Sequence, residues 1–353
     1  MHFSRAREEP SWSSEGRWRG LGTLACATLL LLPVFPVAWP LARVIDRLRG
    51  DRSCWAPAVL MLVMLVGVEM SVIAGAVSLW CRTGGPRGGA CPARLEGRKA
   101  LFGRWALMTF RAFVRAQNLR VELEGFEGSP DVARRHLLVF RHVSVLDVLL
   151  PQMVFREHLG AEVGQVVDRE LLSDPALNVV ACGGGNVLVD RKRTSTTETV
   201  NLVASAVANL LPGQAFAVFP EGARFSPARR NQVRRHLQRH GEAERAEEAG
   251  TLRHLLPVRS RGTRALMDRR GDAEIWICGH VGFESVFGVR DLFRGDLYNQ
   301  TVRIRVQRYA SNDIPADPDE GVAWMRERWR ELDAWVNATK LRALADGGRE
   351  VSS

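Results

Sequence analysis

Two long charge-poor stretches, close together at the amino end, limit what the 353-residue chain can fold into more than any other feature. Residues 21–39, LGTLACATLLLLPVFPVAW, hold no charged side chain, and residues 57–80, PAVLMLVMLVGVEMSVIAGAVSLW, hold only Glu69. Both reach the roughly 17–25 residues needed to cross a hydrocarbon core. Trp39, Trp55 and Trp80 stand at their ends, where indole rings favour a membrane interface. The first stretch also reads as a signal peptide, but Trp39-Pro40 makes a poor cleavage region and a second apolar stretch follows closely. A buried core hairpin is the remaining alternative. The expectation taken forward is a retained membrane-anchoring region, residues 1–99, built as a two-helix hairpin. Pro33 and Pro36 remove backbone donors, so the first stretch is expected to kink, either spanning or re-entering one leaflet. Glu69 has to face protein or a polar partner.

The formal net charge of +10 admits three partners: nucleic acid, an anionic membrane surface and phosphorylated substrates. Residues 1–99 carry 13 Lys or Arg against 7 Asp or Glu, so most of the excess flanks the apolar stretches. By the positive-inside rule this leans toward both ends being cytoplasmic, and the remainder of the chain is expected to face the cytoplasm from a bacterial inner membrane. Only Lys99, Lys192 and Lys340 are lysines, an arginine bias that reads as a GC-rich genome and makes arginine count weak evidence of function. The basic-then-acidic run at 227–248 reads as a solvated helix or loop with internal charge pairing, and it has no aromatic residue to stack bases. Nucleic acid is therefore not expected as a partner. The six cysteines form no Cys-x-x-Cys pair, so neither a zinc site nor a disulfide framework is expected.

Beyond residue 100 short apolar runs alternate with helical periodicity and glycine turns, the pattern of an α/β domain. Strands are expected at 136–140, 163–167, 186–189, 215–219, 255–258, 274–278 and 302–308, and helices at 101–116, 145–157, 197–211 and 320–338. The fold expected is a single mixed-sheet domain over 100–340, followed by a tail at 341–353.

Three constellations stand beside expected strands. In Arg141-His142-Val-Ser144-Val-Leu-Asp147 a histidine at a strand end can meet a carboxylate five residues on if the chain turns into a helix. The carboxylate would fix the imidazole tautomer and leave the other nitrogen free to take a proton. Ser144-x-x-Asp147 also reads as a capping-box helix start, and the two readings are compatible. Gly185-Asn-Val-Leu-Val-Asp190-Arg191 reads as a glycine turn feeding a strand with a cation at its exit; the glycine order is wrong for nucleotide loops. Phe219-Pro220-Glu221-Gly222-Ala223-Arg224 is a tight turn leaving a carboxylate and a guanidinium at a sheet edge. If Arg191 and Arg224 converge they form a phosphate clamp, and a structural Glu-Arg pair is the alternative.

Together, in this order and spacing, the blocks resemble those of the glycerolipid acyltransferase family typified by the 1-acyl-glycerol-3-phosphate acyltransferases. His142 and Asp147 match its His-x4-Asp block. Gly185–Arg191 matches the second with Leu188 in place of an aromatic residue, and Phe219–Arg224 matches the third with Ala223 in place of Thr. Leu255-Leu256-Pro257, followed by Arg259, Arg261 and Gly262, matches a weaker fourth. The resemblance implies that His142 is the general base, that Asp147 orients it, and that Arg191, Glu221, Gly222 and Arg224 bind the acceptor's glycerol phosphate. It implies direct attack of a lysophospholipid hydroxyl on the thioester of acyl-CoA or acyl-carrier protein, without cofactor, metal or acyl-enzyme. The acceptor implied is 1-acyl-glycerol-3-phosphate, giving phosphatidate, or another lysophospholipid in a remodelling reaction. A non-enzymatic membrane protein that keeps the fold is the other alternative.

Overall fold

The computed structural model describes residues 33–49, 55–84, 91–126, 133–181, 185–190 and 192–350. Its centre is a seven-stranded sheet: β1 (Arg120–Glu124), β2 (His136–Phe140), β3 (Glu162–Asp168), β4 (Val187–Val189), β5 (Gln214–Val218), β6 (Glu274–Val281) and β7 (Thr301–Tyr309). The spatial order is β1-β7-β6-β2-β5-β3-β4, with every neighbouring pair parallel except β6 and β7. The expected mixed sheet is thus present. Strand β2 is buried at all five positions, as a parallel strand covered on both faces must be. Its alternation sends Leu138 and Phe140 to one core and Leu137 and Val139 to the other.

Residues 33–49 form helix α1. Helix α2 (Trp55–Arg82) and helix α3 (Pro92–Ala116) are followed by α4 (Pro175–Val180), α5 (Thr196–Ala208), α6 (Pro227–Arg239), α7 (Ala243–Thr251), α8 (Ser260–Arg269) and α9 (Pro318–Glu350). Helix α3 covers the sheet face of Leu138 and Phe140 through Phe102, Phe110 and Phe113. Helices α8 and α9 supply Leu266, Met267, Trp329 and Val336 to the other face.

Helix α2, 28 residues long, is long and apolar enough to cross a membrane, with a mean hydropathy of 2.3 over an 18-residue window. Residues 21–32 of the first apolar stretch lie outside the described residues, and α1 continues past residue 39 through Arg43 and Arg47. Of the expected hairpin, α2 is therefore the part the structure displays. Asp46 of α1 accepts the Trp55 and Ala56 amides at 3.1 and 2.8 Å, satisfying two donors at the start of α2. Glu69 meets the requirement for a polar partner: it accepts the Trp105 indole N–H at 3.1 Å and the Ala176 amide at 2.8 Å.

Three local expectations are corrected. Residues 255–258 form no strand, because Pro257 has no N–H and side chains claim the neighbouring backbone groups. The Leu256 amide donates to Glu221 Oε1 at 3.4 Å, and its carbonyl accepts the Trp329 indole at 3.0 Å. The helix expected at 145–157 is a 3-10 turn at Val145–Leu149 followed by a π-helical stretch at Gln152–Arg156. Strand β1, polar and only half-buried, was hidden by its weak apolar signal.

Candidate active site

The site lies at the carboxyl ends of β2, β3, β5 and β6, where ligands bind in open α/β sheets. The chain leaves β2 through Arg141, whose amide still pairs with the Cys278 carbonyl of β6 at 3.0 Å, and His142 is the first residue free of the ladder. Ser144 then caps the 3-10 turn, accepting the Leu146 amide at 3.2 Å, while its hydroxyl donates to the Val286 carbonyl at 2.6 Å. The turn returns Asp147 beneath His142. Asp147 Oδ2 stands 3.0 Å from His142 Nδ1 and accepts the amides of Val143 and Ser144 at 2.6 and 2.8 Å. The capping box and the His-Asp pair are thus one structure, with the cap holding the carboxylate in place.

Asp147 is fully buried. Burial alone would raise its pKa, but the charge of a second histidine, His280, and the hydrogen bond from His142 hold it well below the ordinary carboxylate range. His280 stands at the end of β6 with Nε2 3.0 Å from Asp147 Oδ1, approaching off the hydrogen-bond axis. No signal in the sequence marks it, since a lone histidine in an apolar strand carries no motif. The β2–β6 pairing is what brings it to Asp147.

His142 keeps a small exposed edge, 12% of its side chain, and its ring packs against Phe219 with centroids 4.5 Å apart. Its carbonyl accepts the Phe225 amide at 2.7 Å, which ties the third block to the first. The Arg259 amide in turn donates to the Pro220 carbonyl at 3.0 Å, tying the fourth block to the third.

From His142 a cavity of about 490 Å³ opens between the sheet end, α5 and α8. Val166, Val189, Val200, Val203, Val218 and Leu266 make an apolar wall, while Arg229, Arg259 and Arg261 stand on the wall with Asp168 as the acid among them. Asp168 caps the following turn by accepting the Glu170 amide at 3.0 Å.

The structure distributes the expected substrate-binding residues unevenly. Gly222 lines the cavity. Its φ of +66° is the left-handed region that favours glycine, and a Cβ there would meet the Arg259 guanidinium. Glu221 is buried behind the cavity, with Oε1 against the Leu256 amide. Burial, only partly offset by the charge of Arg141, pushes its pKa well above the ordinary value. Arg224 is off the cavity wall: its guanidinium donates to the Phe287 carbonyl and lies 4.5 Å over the Phe287 ring. Arg191 lies outside the described residues, so its meeting with Arg224 does too. The cations that do line the cavity include Arg259 and Arg261, whose signal was their place directly after the fourth block.

An imidazole backed by a buried carboxylate, facing a cavity that is part apolar and part basic, is an arrangement chemically able to accept a proton beside an amphipathic, anionic ligand. Residues 120–260, which span all four sequence blocks, match the family model described as Acyltransferase. The resemblance drawn from the four blocks holds at the level of the family. In structure the chain is similar to the 1-acyl-sn-glycerophosphate (LPA) acyltransferase PlsC from Thermotoga maritima, with a TM-score of 0.49 and 16% identity over 80% of this chain and 96% of that one. No curated protein matches the chain.

Proposed function

We infer that the protein transfers a fatty acyl group from a thioester donor, acyl-CoA or acyl-carrier protein, to the free hydroxyl of a lysoglycerophospholipid, with 1-acyl-glycerol-3-phosphate as the acceptor that best suits the site. The observation that carries this reading is the pairing of His142 with Asp147 at the mouth of a cavity that offers both apolar and cationic walls.

His142 Nδ1 donates to Asp147, so Nε2 is the nitrogen left to accept a proton from the acceptor hydroxyl. The alkoxide attacks the thioester carbonyl, the C–S bond breaks, and the thiolate leaves with the proton returned from His142. Asp147, kept ionised by its donors, stabilises the imidazolium formed between these steps. The apolar wall suits an acyl chain and the arginines suit phosphate. Helix α2 and the exposed apolar residues of α1, such as Val37 and Leu48, would hold the site at a membrane surface where a lysolipid resides.

The test is an assay of the full-length protein in detergent with acyl-CoA and labelled 1-acyl-glycerol-3-phosphate, beside His142→Ala. Formation of phosphatidate by the wild type alone is the expected result. Equal product from both proteins would remove His142 from the mechanism, and product only from phosphodiester acceptors would redirect the reading to lysophospholipid remodelling.

A further inference from the structure

Helix α8 begins at the cavity without the usual devices that close a helix start. Its N-cap is Arg259, which forms no side-chain cap, and its first turn holds no acid. The first amide bonded back within the helix is that of Thr263, to the Arg259 carbonyl at 2.9 Å. The amides of Ser260, Arg261 and Gly262 therefore have no acceptor inside the helix and form its positive end.

An independent observation marks the same spot. Thr263 is 2% exposed and lines the cavity, yet its Oγ1 has no hydrogen-bond partner among the described residues. A buried hydroxyl without a partner, beside open helix amides, is what an absent anion would leave behind. Arg261, two residues earlier, lines the same cavity. Arg259 is held over the block-three turn by the carbonyls of Glu221 and Gly222, at 3.2 and 3.4 Å, so its guanidinium is positioned before any ligand arrives.

We propose that the start of α8, with Thr263 Oγ1, Arg259 and Arg261, is a phosphomonoester site that holds the phosphate of the acceptor. The inference rests on the acyl-transfer reading above. It assigns the phosphate to residues outside the pair Arg191 and Arg224. A phosphate can come from the acceptor or from the donor, and the geometry favours the acceptor. The glycerol hydroxyl that must reach His142 is only a few bonds from its own phosphate, and His142 and Thr263 line the same cavity. The donor's nearest phosphate is separated from the thioester by a whole pantetheine arm.

The experiment uses the full chain in detergent, wild type beside Thr263→Val and Arg261→Gln. Steady-state kinetics are read with acyl-CoA and 1-acyl-glycerol-3-phosphate, and thermal melting is followed with glycerol 3-phosphate as a soluble probe. The acceptor KM is expected to rise about tenfold or more in Arg261→Gln and several-fold in Thr263→Val. The donor KM is expected to stay within about twofold, and the stabilisation by glycerol 3-phosphate seen with wild type is expected to weaken in both variants. An unchanged acceptor KM in both variants overturns the site, and a rise confined to the donor KM assigns these residues to the donor's phosphates instead. If the wild type transfers no acyl group, the functional reading fails alone. The melting experiment then decides the site, because equal stabilisation of wild type and variants, or of none, rules it out.

Discussion

Replacing Asp147 by Asn is the sharpest probe of the proposed chemistry, because it removes a charge while leaving the shape. The carboxylate takes three donors on Oδ2, from His142, Val143 and Ser144, and an amide oxygen in that position can still accept them. What is lost is attraction to the imidazolium that exists only once His142 has taken a proton. Two unit charges with centres about 4 Å apart at an effective dielectric of about 20 attract by about 4 kcal/mol. At 1.36 kcal/mol per decade that is a loss of about a thousandfold in kcat. Both KM values should move by less than about threefold, since ground-state contacts remain. The assay follows release of the free thiol from acyl-CoA at saturating acceptor, with circular dichroism to show that the fold is kept. A folded Asp147→Asn protein retaining more than about a tenth of wild-type kcat would refute the general-base account.

His280→Ala should lower kcat about tenfold with little change in KM, His280→Gln should recover part of it, and neither should add its full effect to Asp147→Asn; additive losses would show that His280 acts elsewhere. Gly222→Ala forces an L side chain into the left-handed region and against Arg259, so it should cost about 1–3 kcal/mol, read as a lowered melting temperature; an unchanged melting curve would contradict this. Burial would raise the Glu284 pKa, but Arg141, Lys340 and His280 hold it at about 2. Its ionised form therefore stabilises the fold above its ordinary value near 4.5, a contribution lost as pH falls toward 2. The stability gap between wild type and Glu284→Gln, measured by denaturant titration, should be wide at pH 7 and narrower at pH 3; an equal gap at both would overturn the assignment.

Local patterns were legible in the sequence wherever one segment carries its own signal. The apolar run 136–140 is β2, and Ser144-x-x-Asp147 is the capped turn that brings Asp147 to His142. Features made by strand pairing were not legible. His280 reaches Asp147 because β6 lies beside β2, about 140 residues away in sequence. Glu221 looked like a ligand residue because it follows a strand, yet the turn buries its carboxyl against Leu256, a contact that only the return of the fourth block creates. Leu255–Val258 looked like a strand because apolar periodicity does not register that Pro257 cannot donate.

The apolar helix α2 bears on the site through packing rather than through composition. Helix α2 is part of the core on one side: Met61, Val68 and Val72 join the cluster that contains Phe102 of α3 and Leu138 and Phe140 of β2. Its other side leaves Leu62, Met70 and Val77 exposed. Glu69 adds a polar lock to Trp105 and to the start of α4. A carboxylate in so apolar a helix is tolerated only where its donors are fixed, so Glu69 sets the rotation of α2 against α3 and α4. His142 emerges from that same sheet one residue beyond Arg141. The exposed face of α2 and the mouth of the cavity are therefore held in a fixed relation by a continuous packed core. On the proposed function, any surface that takes up α2 also sets the height and tilt at which His142 meets a lipid hydroxyl.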